Sequence, residues 1–391
     1  MLLFSSAFAA DLPDLGDPLD RDRLIAAVLE RNPSLDALEA GLEAARADVD
    51  AVPRLSDPMV EAMVSPGGLA MGMAGVDLRV EQALPLWGMP RLGREMAEAG
   101  ADADTAGLAM MRRDMARMAG MAWVDWWWMQ TSVARMTEEL AAMERMREAT
   151  LRRYAAGTAT SLDTLAVDAE SAAMEAELRA MESERDAVRA RIGGLLGQPG
   201  VALPPPPAAL PDLALPADAP SPESDQGAAM VAMARSEAEM ARKERLPMLG
   251  WMASWEGMEA PSDQFMAGLS VSVPITGRAR AGAIRAADAR VAAAEAQAEA
   301  MTVERDRAIA EVRARLEGRR AALASIEARL IPTAKARVEA ARTAYAAGTA
   351  PVGALLDAEQ AWVRAQSTEV EARARLAIEA NDLALLLGGA P

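Results

Sequence analysis

The side chains that most often do chemistry are missing from this 391-residue sequence, which contains neither histidine nor cysteine. That excludes thiolate nucleophiles, disulfides, zinc sites of the usual Cys/His kind and the commonest proton carrier near neutral pH. Carboxylates and thioethers remain, with 58 Asp and Glu and 26 Met. Carboxylates without a nucleophile or metal partner form no catalytic constellation, so the residues make no case for an enzyme or for a bound cofactor. Thioethers are soft ligands suited to Cu(I). Met110, Met111, Met115 and Met118 follow helical spacing and read as core, whereas Met71 and Met73, around Gly72 in a Gly/Pro-rich stretch, are weak metal candidates and otherwise plain loop residues. The formal charge of −17 argues against a nucleic-acid partner, which needs a basic face.

The stretch that positions everything else is RYAAGTATSLDTL at 153–165, nearly repeated as YAAGTAPVGALL at 345–356. Long Ala/Met/Glu/Arg helical patterns flank each copy, so each Gly-Thr sits where one helix ends and the next begins. Both read as turns of long helical hairpins. They belong to a duplication: Tyr154 and Tyr345 are 191 residues apart, as are Leu195-Leu196-Gly197 and Leu386-Leu387-Gly388. Pro58-Met59 and Pro247-Met248, and Pro85 and Pro274, follow at an offset of 189. One architecture is built twice, giving two intertwined halves.

Leu24 to Val52 predicts two helical segments broken at Asn32-Pro33. Alternation then replaces the helical period. Met59–Val64 and Val76–Leu84 form one hairpin in the first half, and Leu249–Trp255 and Phe265–Val273 form another in the second. Strands of this length with one apolar face suit a tilted crossing of a membrane, or else a small soluble β module packed on a helix. Four strands cannot close a conducting barrel alone. If they span a bilayer, several chains must share one barrel, and a homotrimer is expected. Trp251 and Trp255 share the apolar parity and are expected on the lipid side near an interface.

From Arg91 to about Ala155 there is no proline, and a helix of that length runs on the order of 95 Å. Trp123, Trp126 and Trp127 share one face and read as a packing seam. Ser161 to Leu195 is the return helix. Residues 198–225 hold nine prolines and read as an extended linker. Arg278 to Ala344 is the second rod, with Pro332 as a kink, and Val352 to Leu387 its return. Alanines such as Ala286, Ala287, Ala292 and Ala293 let helices pack closely side by side. Residues 1–10 resemble the end of a secretory signal peptide, or an ordinary apolar N-terminus. The domains expected are therefore a first repeat over 11–197, with its hairpin at about 57–86 and its tip near 154–161, and a second repeat over 226–391, with its hairpin at about 247–275 and its tip near 345–352.

Taken together, these features resemble the TolC-like outer-membrane efflux channel family over nearly the whole chain. The tip motif R-Y-x-x-G-x-x-S is met by Arg153, Tyr154, Gly157 and Thr160-Ser161, with Ser161 one place late. The second copy keeps Tyr345 and Gly348 but has Ala344 for the Arg and Pro351 at the Ser position. Arg31, Asn32, Pro33 and Leu35, and the junction from Gln82 to Gly88, also look like family features. Asp57-Pro58 and that junction look most like the heavy-metal efflux branch. The resemblance implies a mainly α fold with a small membrane β-barrel part, in which three protomers of four strands each form a 12-stranded barrel continued by a helical tunnel. It implies an outer-membrane exit duct with its helices in the periplasm, serving a tripartite system and passing drugs or metal cations such as copper or silver. The partners implied are outer-membrane lipid, a periplasmic adaptor and an inner-membrane pump. At the tips Arg153, Tyr154, Gly157, Ser161, Tyr345 and Gly348 are the expected docking residues, although each Gly is also a helix cap. Asp163 and Asp357 lie where the family's acidic rings narrow the entrance; they are gate candidates or ordinary solvated acids. The alternative is a periplasmic adaptor or other secreted coiled-coil scaffold.

Overall fold

A computed structural model of the chain describes residues 14–65, 75–213, 215–216, 221–257, 264–275 and 277–388. Met71, Met73 and the N-terminal segment read as a signal-peptide end lie outside these residues. In chain order the elements are α1 (Arg21–Arg31), α2 (Pro33–Ala51), β1 (Met59–Ser65), β2 (Gly75–Leu84), α3 (Met89–Ala155), α4 (Ser161–Leu195), α5 (Pro222–Lys243), β3 (Met248–Gly257), β4 (Gln264–Ser272), α6 (Gly277–Ser325), α7 (Ile331–Ala346) and α8 (Val352–Leu386). A π-helical turn, Ile326–Leu330, joins α6 to α7. No helix among the described residues is long and apolar enough to cross a membrane.

The chain divides into two compact units, and neither is one of the sequence repeats. The first unit takes Met1–Asp36, Met111–Ala219 and Arg305–Pro391, and the second takes Ala37–Met110 and Pro220–Glu304. Each unit draws on both repeats, as intertwining requires.

In the first unit the tryptophan face of α3 is the centre of the core. Trp123, Trp126 and Trp127 are buried against Leu24 and Val28 of α1, Val188 and Ile192 of α4, and Ala374 of α8. Trp123 donates its indole N–H to the carbonyl of Leu19 at 2.9 Å, and Trp126 donates to that of Pro204 at 3.1 Å. The proline-rich stretch is therefore tied to the core rather than hanging free, and the Leu19 amide donates to the Pro205 carbonyl at 2.8 Å. Its far end differs from the expected 225. Ser221 caps α5 by accepting the Ser224 amide, Pro222 occupies the first turn, and Glu223 and Asp225 favour the positive end of the helix dipole.

The kink expected at Pro332 takes the form of the π turn just before it, where the Ile331 amide donates to the Ile326 carbonyl. Proline has no N–H for the carbonyl four residues back, and its ring crowds that carbonyl; widening the preceding turn relieves both.

The second unit carries a four-stranded antiparallel sheet in the order β1-β2-β3-β4. The register places Val80 between Val60 and Ala253, and Leu78 between Ala62 and Trp255, with Phe265 beyond Trp255. These residues share one apolar face with Trp251 and Leu269, and Leu78, Trp251, Trp255, Phe265 and Leu269 are exposed in the single chain. After β2 the backbone turns through positive φ at both Trp87 and Gly88, and the Trp87 indole is held by the Pro247 carbonyl at 2.9 Å.

Candidate functional site at the hairpin turns

Each turn is a Schellman motif, in which a left-handed glycine lets its own amide and the next one reach back to carbonyls of the helix just ended. At the first, the Gly157 amide donates to the Tyr154 carbonyl at 2.9 Å and the Thr158 amide to the Arg153 carbonyl at 2.9 Å. At the second, Gly348 donates to Tyr345 at 3.0 Å and Thr349 to Ala344 at 2.9 Å. Gly157 has φ +71 and Gly348 φ +72. In both turns the threonine hydroxyl adds a bond to the same carbonyl as its amide. A Cβ built on either glycine meets nothing within 4 Å, so the surrounding space is open.

Beyond the glycines the turns part. Thr160 caps α4: its hydroxyl accepts the Asp163 amide at 3.2 Å, while the Asp163 carboxylate accepts the Thr160 amide at 2.8 Å. This capping box gives Asp163 a local task at the N-terminus of α4. Thr160 stands at the serine position of the motif, and Ser161 is the first residue of the helix. At the second turn Pro351 stands at the cap with no side-chain bond. Asp357 lies exposed in α8.

The two turns are joined by a contact that the motif did not announce. Arg153 lies 4.5 Å above the Tyr345 ring and donates to the Tyr345 carbonyl at 3.2 Å. The Tyr345 hydroxyl lies 3.3 Å from that of Thr150, which is fully buried. Tyr154, by contrast, is 50% exposed. A concavity of about 640 Å³ lined by Arg153, Thr158, Tyr345, Gly348 and Leu355 opens here.

Behind each turn an arginine of the incoming helix binds an acid of the outgoing one. Arg147 meets Asp168 at 2.5 Å, and Arg342 grips Glu359 at 2.7 and 2.9 Å with two nitrogens. Hydrogen bonds to those carboxylates hold both guanidinium groups above their ordinary pKa. The Arg342–Glu359 pair borders a cleft of about 860 Å³ that also includes Glu139, Glu170 and Arg364. No cluster of three or more acidic residues able to hold a metal occurs among the described residues. A rigid turn with open space around its glycine offers a surface for contact, and nothing in it breaks or makes bonds.

The sequence profile of the outer membrane efflux protein family matches residues 24–198 and 217–389. No protein of curated function matches the sequence. Among solved structures, the chain is similar to the outer-membrane channel OprN at 22% identity, covering 95% of this chain and 90% of that one, with a TM-score of 0.82. It is similar to the open state of the MtrE outer membrane channel of Neisseria gonorrhoeae at 20% identity, covering 98% and 94%, with a TM-score of 0.80. CusC, described in relation to folding and transmembrane channel formation, aligns at 15% identity over 98% and 96%, with a TM-score of 0.84. These likenesses establish the fold, mainly α with four antiparallel strands, and the family match sets aside the adaptor alternative. The chain belongs to the outer membrane efflux protein family, a family of outer-membrane channels rather than enzymes, with their helical part in the periplasm.

Proposed function

We propose that the chain is the exit duct of a tripartite efflux system, working as a homotrimer that passes cargo passively from an inner-membrane pump and a periplasmic adaptor to the exterior. One observation carries this reading: the sheet has an apolar exposed face and two edge strands, β1 and β4, with no partner strand among the described residues of one chain. Unpaired edges cannot lie in a bilayer, so several copies, three in this reading, join β4 to β1 in one closed barrel, with Trp251 and Trp255 toward lipid. Exposed small residues on α6, such as Ala286, Ala292 and Ala293, suit close packing between chains. The turns are the docking surface for the adaptor, with Arg153, Tyr154, Gly157, Ser161, Tyr345 and Gly348 presented to it. Asp163 and Asp357, in three copies each, make the entrance negative and favour cations over anions.

Cross-linking of the protein purified in detergent should saturate at three chains, and the same particles should conduct potassium ions across a planar lipid bilayer. A chain that stays monomeric and soluble without detergent sinks this reading.

A further inference from the structure

The methionines of the sheet are sorted by face. Met59 and Met63 of β1, Met248 and Met252 of β3, and Met266 of β4 all share the parity of the charged residues, and the apolar parity carries no methionine among the paired residues. If methionine served here only as a hydrophobe, it would stand with the valines and leucines that face lipid. The same polar face carries Glu61, Asp77, Glu81 and Glu256 against a single cation, Arg79, which lies 4.0 Å from Glu61. Register sets these groups side by side. Glu81 is flanked directly by Met59 on β1 and Met252 on β3, Asp77 by Met63 and Glu256, and Met266 stands beside Ser254 in the row of Glu61 and Arg79.

Adjacent strands are about 4.8 Å apart, so the flexible thioethers of Met59 and Met252 are within reach of a cation held at the Glu81 carboxylate between them. Carboxylates attract cations of any kind, but thioether sulfur prefers soft ones. We propose that this face binds a soft monovalent cation, Cu(I) or Ag(I), with Met59, Glu81 and Met252 forming its best-built site. The proposal rests on the duct reading, because only in a shared barrel does the polar face become the bore. Three chains then repeat each row around the bore, giving several weak sites in series, which lets an ion enter and also leave.

The test uses the wild-type trimer in detergent with Ag(I) as probe. Methionine oxidation by dilute hydrogen peroxide is followed residue by residue by mass spectrometry, with and without Ag(I). Bound Ag(I) should slow oxidation of Met59 and Met252 about tenfold, leaving Met118 of α3 and Met233 of α5, both exposed, unaffected. Potassium ions at the same concentration should protect none of them. In parallel, Met59→Leu combined with Met252→Leu should weaken Ag(I) binding by about tenfold. Equal oxidation with and without Ag(I), or protection spread evenly over all exposed methionines, overturns the proposal. If the trimer conducts potassium ions while Met59 and Met252 remain unprotected, the cation site is wrong and the duct stands. If no conducting trimer forms, both fall.

Discussion

The two hairpin turns have nearly the same backbone, yet their side chains are used in opposite ways. Both close through a glycine at φ near +70 and a threonine bonded twice to one carbonyl. The first turn then caps its outgoing helix with Thr160 and Asp163 and leaves Tyr154 in solvent. The second has an uncapped Pro351 and a tyrosine clasped by Arg153 and Thr150 of the first. Duplication preserved the bend, and each copy specialised. The first tip presents an aromatic surface, and the second serves as the seat on which the first is held.

The largest expected effect tests the shared part. Leucine at Gly157 or Gly348 meets open space but must adopt positive φ, at a cost of about 1 kcal/mol. That is too little to unfold the trimer proposed above. Trimers should reach the outer membrane, while export and cross-linking of the tips to the adaptor are abolished. Loss with Gly157→Leu alone would mean that docking belongs to the first tip, where the free tyrosine is. Normal export by both variants would remove the docking role.

Next in size are the arginine pairs behind the turns. Glu359 has a side chain only 7% exposed under Arg342, whereas Arg147 and Asp168 are 44% and 42% exposed. Arg342→Met strands a buried carboxylate and should cost about 1–3 kcal/mol in thermal or denaturant unfolding, with little dependence on salt. Arg147→Met should cost clearly less, and its effect should fade as salt screens the exposed pair. Equal losses at every ionic strength would erase the difference drawn between the hairpins.

How much of this was legible depended on whether the signal was local. The helices, the broken Asn32-Pro33 entry to α2, the strand alternation and the left-handed glycines follow from period, proline and turn chemistry within a few residues. The cap at Thr160 was within reach too, since a threonine followed three residues later by an acid is a capping signature. The Arg153–Tyr345 clasp joins residues 192 apart, and no local pattern encodes it. The strapping of the proline-rich stretch by Trp126 is of the same kind. Sorting of methionines by face needed only parity, but the parity of β1 is irregular in sequence until β2 fixes its register.

A smaller contrast lies at the caps. Thr160→Ala removes a side-chain cap and should cost about 1 kcal/mol in unfolding. Pro351→Ala removes no side-chain bond and should cost only about 0.5 kcal/mol, through the added freedom of the unfolded chain. If the two losses are equal, the capping box contributes nothing that proline does not, and the turns differ less than their hydrogen bonds imply.

The smallest effect isolates one oxygen. Tyr345→Phe keeps the ring beneath Arg153 and therefore keeps the cation–π contact, removing only the hydroxyl that meets Thr150. Thr150 is buried, but its hydroxyl also donates to the Met146 carbonyl at 3.0 Å and stays satisfied without the tyrosine. The loss should therefore fall at the low end for a hydrogen bond, about 0.5 kcal/mol. Tyr154→Phe, at an exposed ring whose hydroxyl has no hydrogen-bond partner among the described residues, should leave unfolding unchanged. Tyr345→Leu goes further and removes the ring as well, so it should exceed Tyr345→Phe by about 0.5–1 kcal/mol, the worth of a cation–π contact near the surface. If all three variants unfold alike, Arg153 does not clasp Tyr345 in solution, and the second turn is as free as the first.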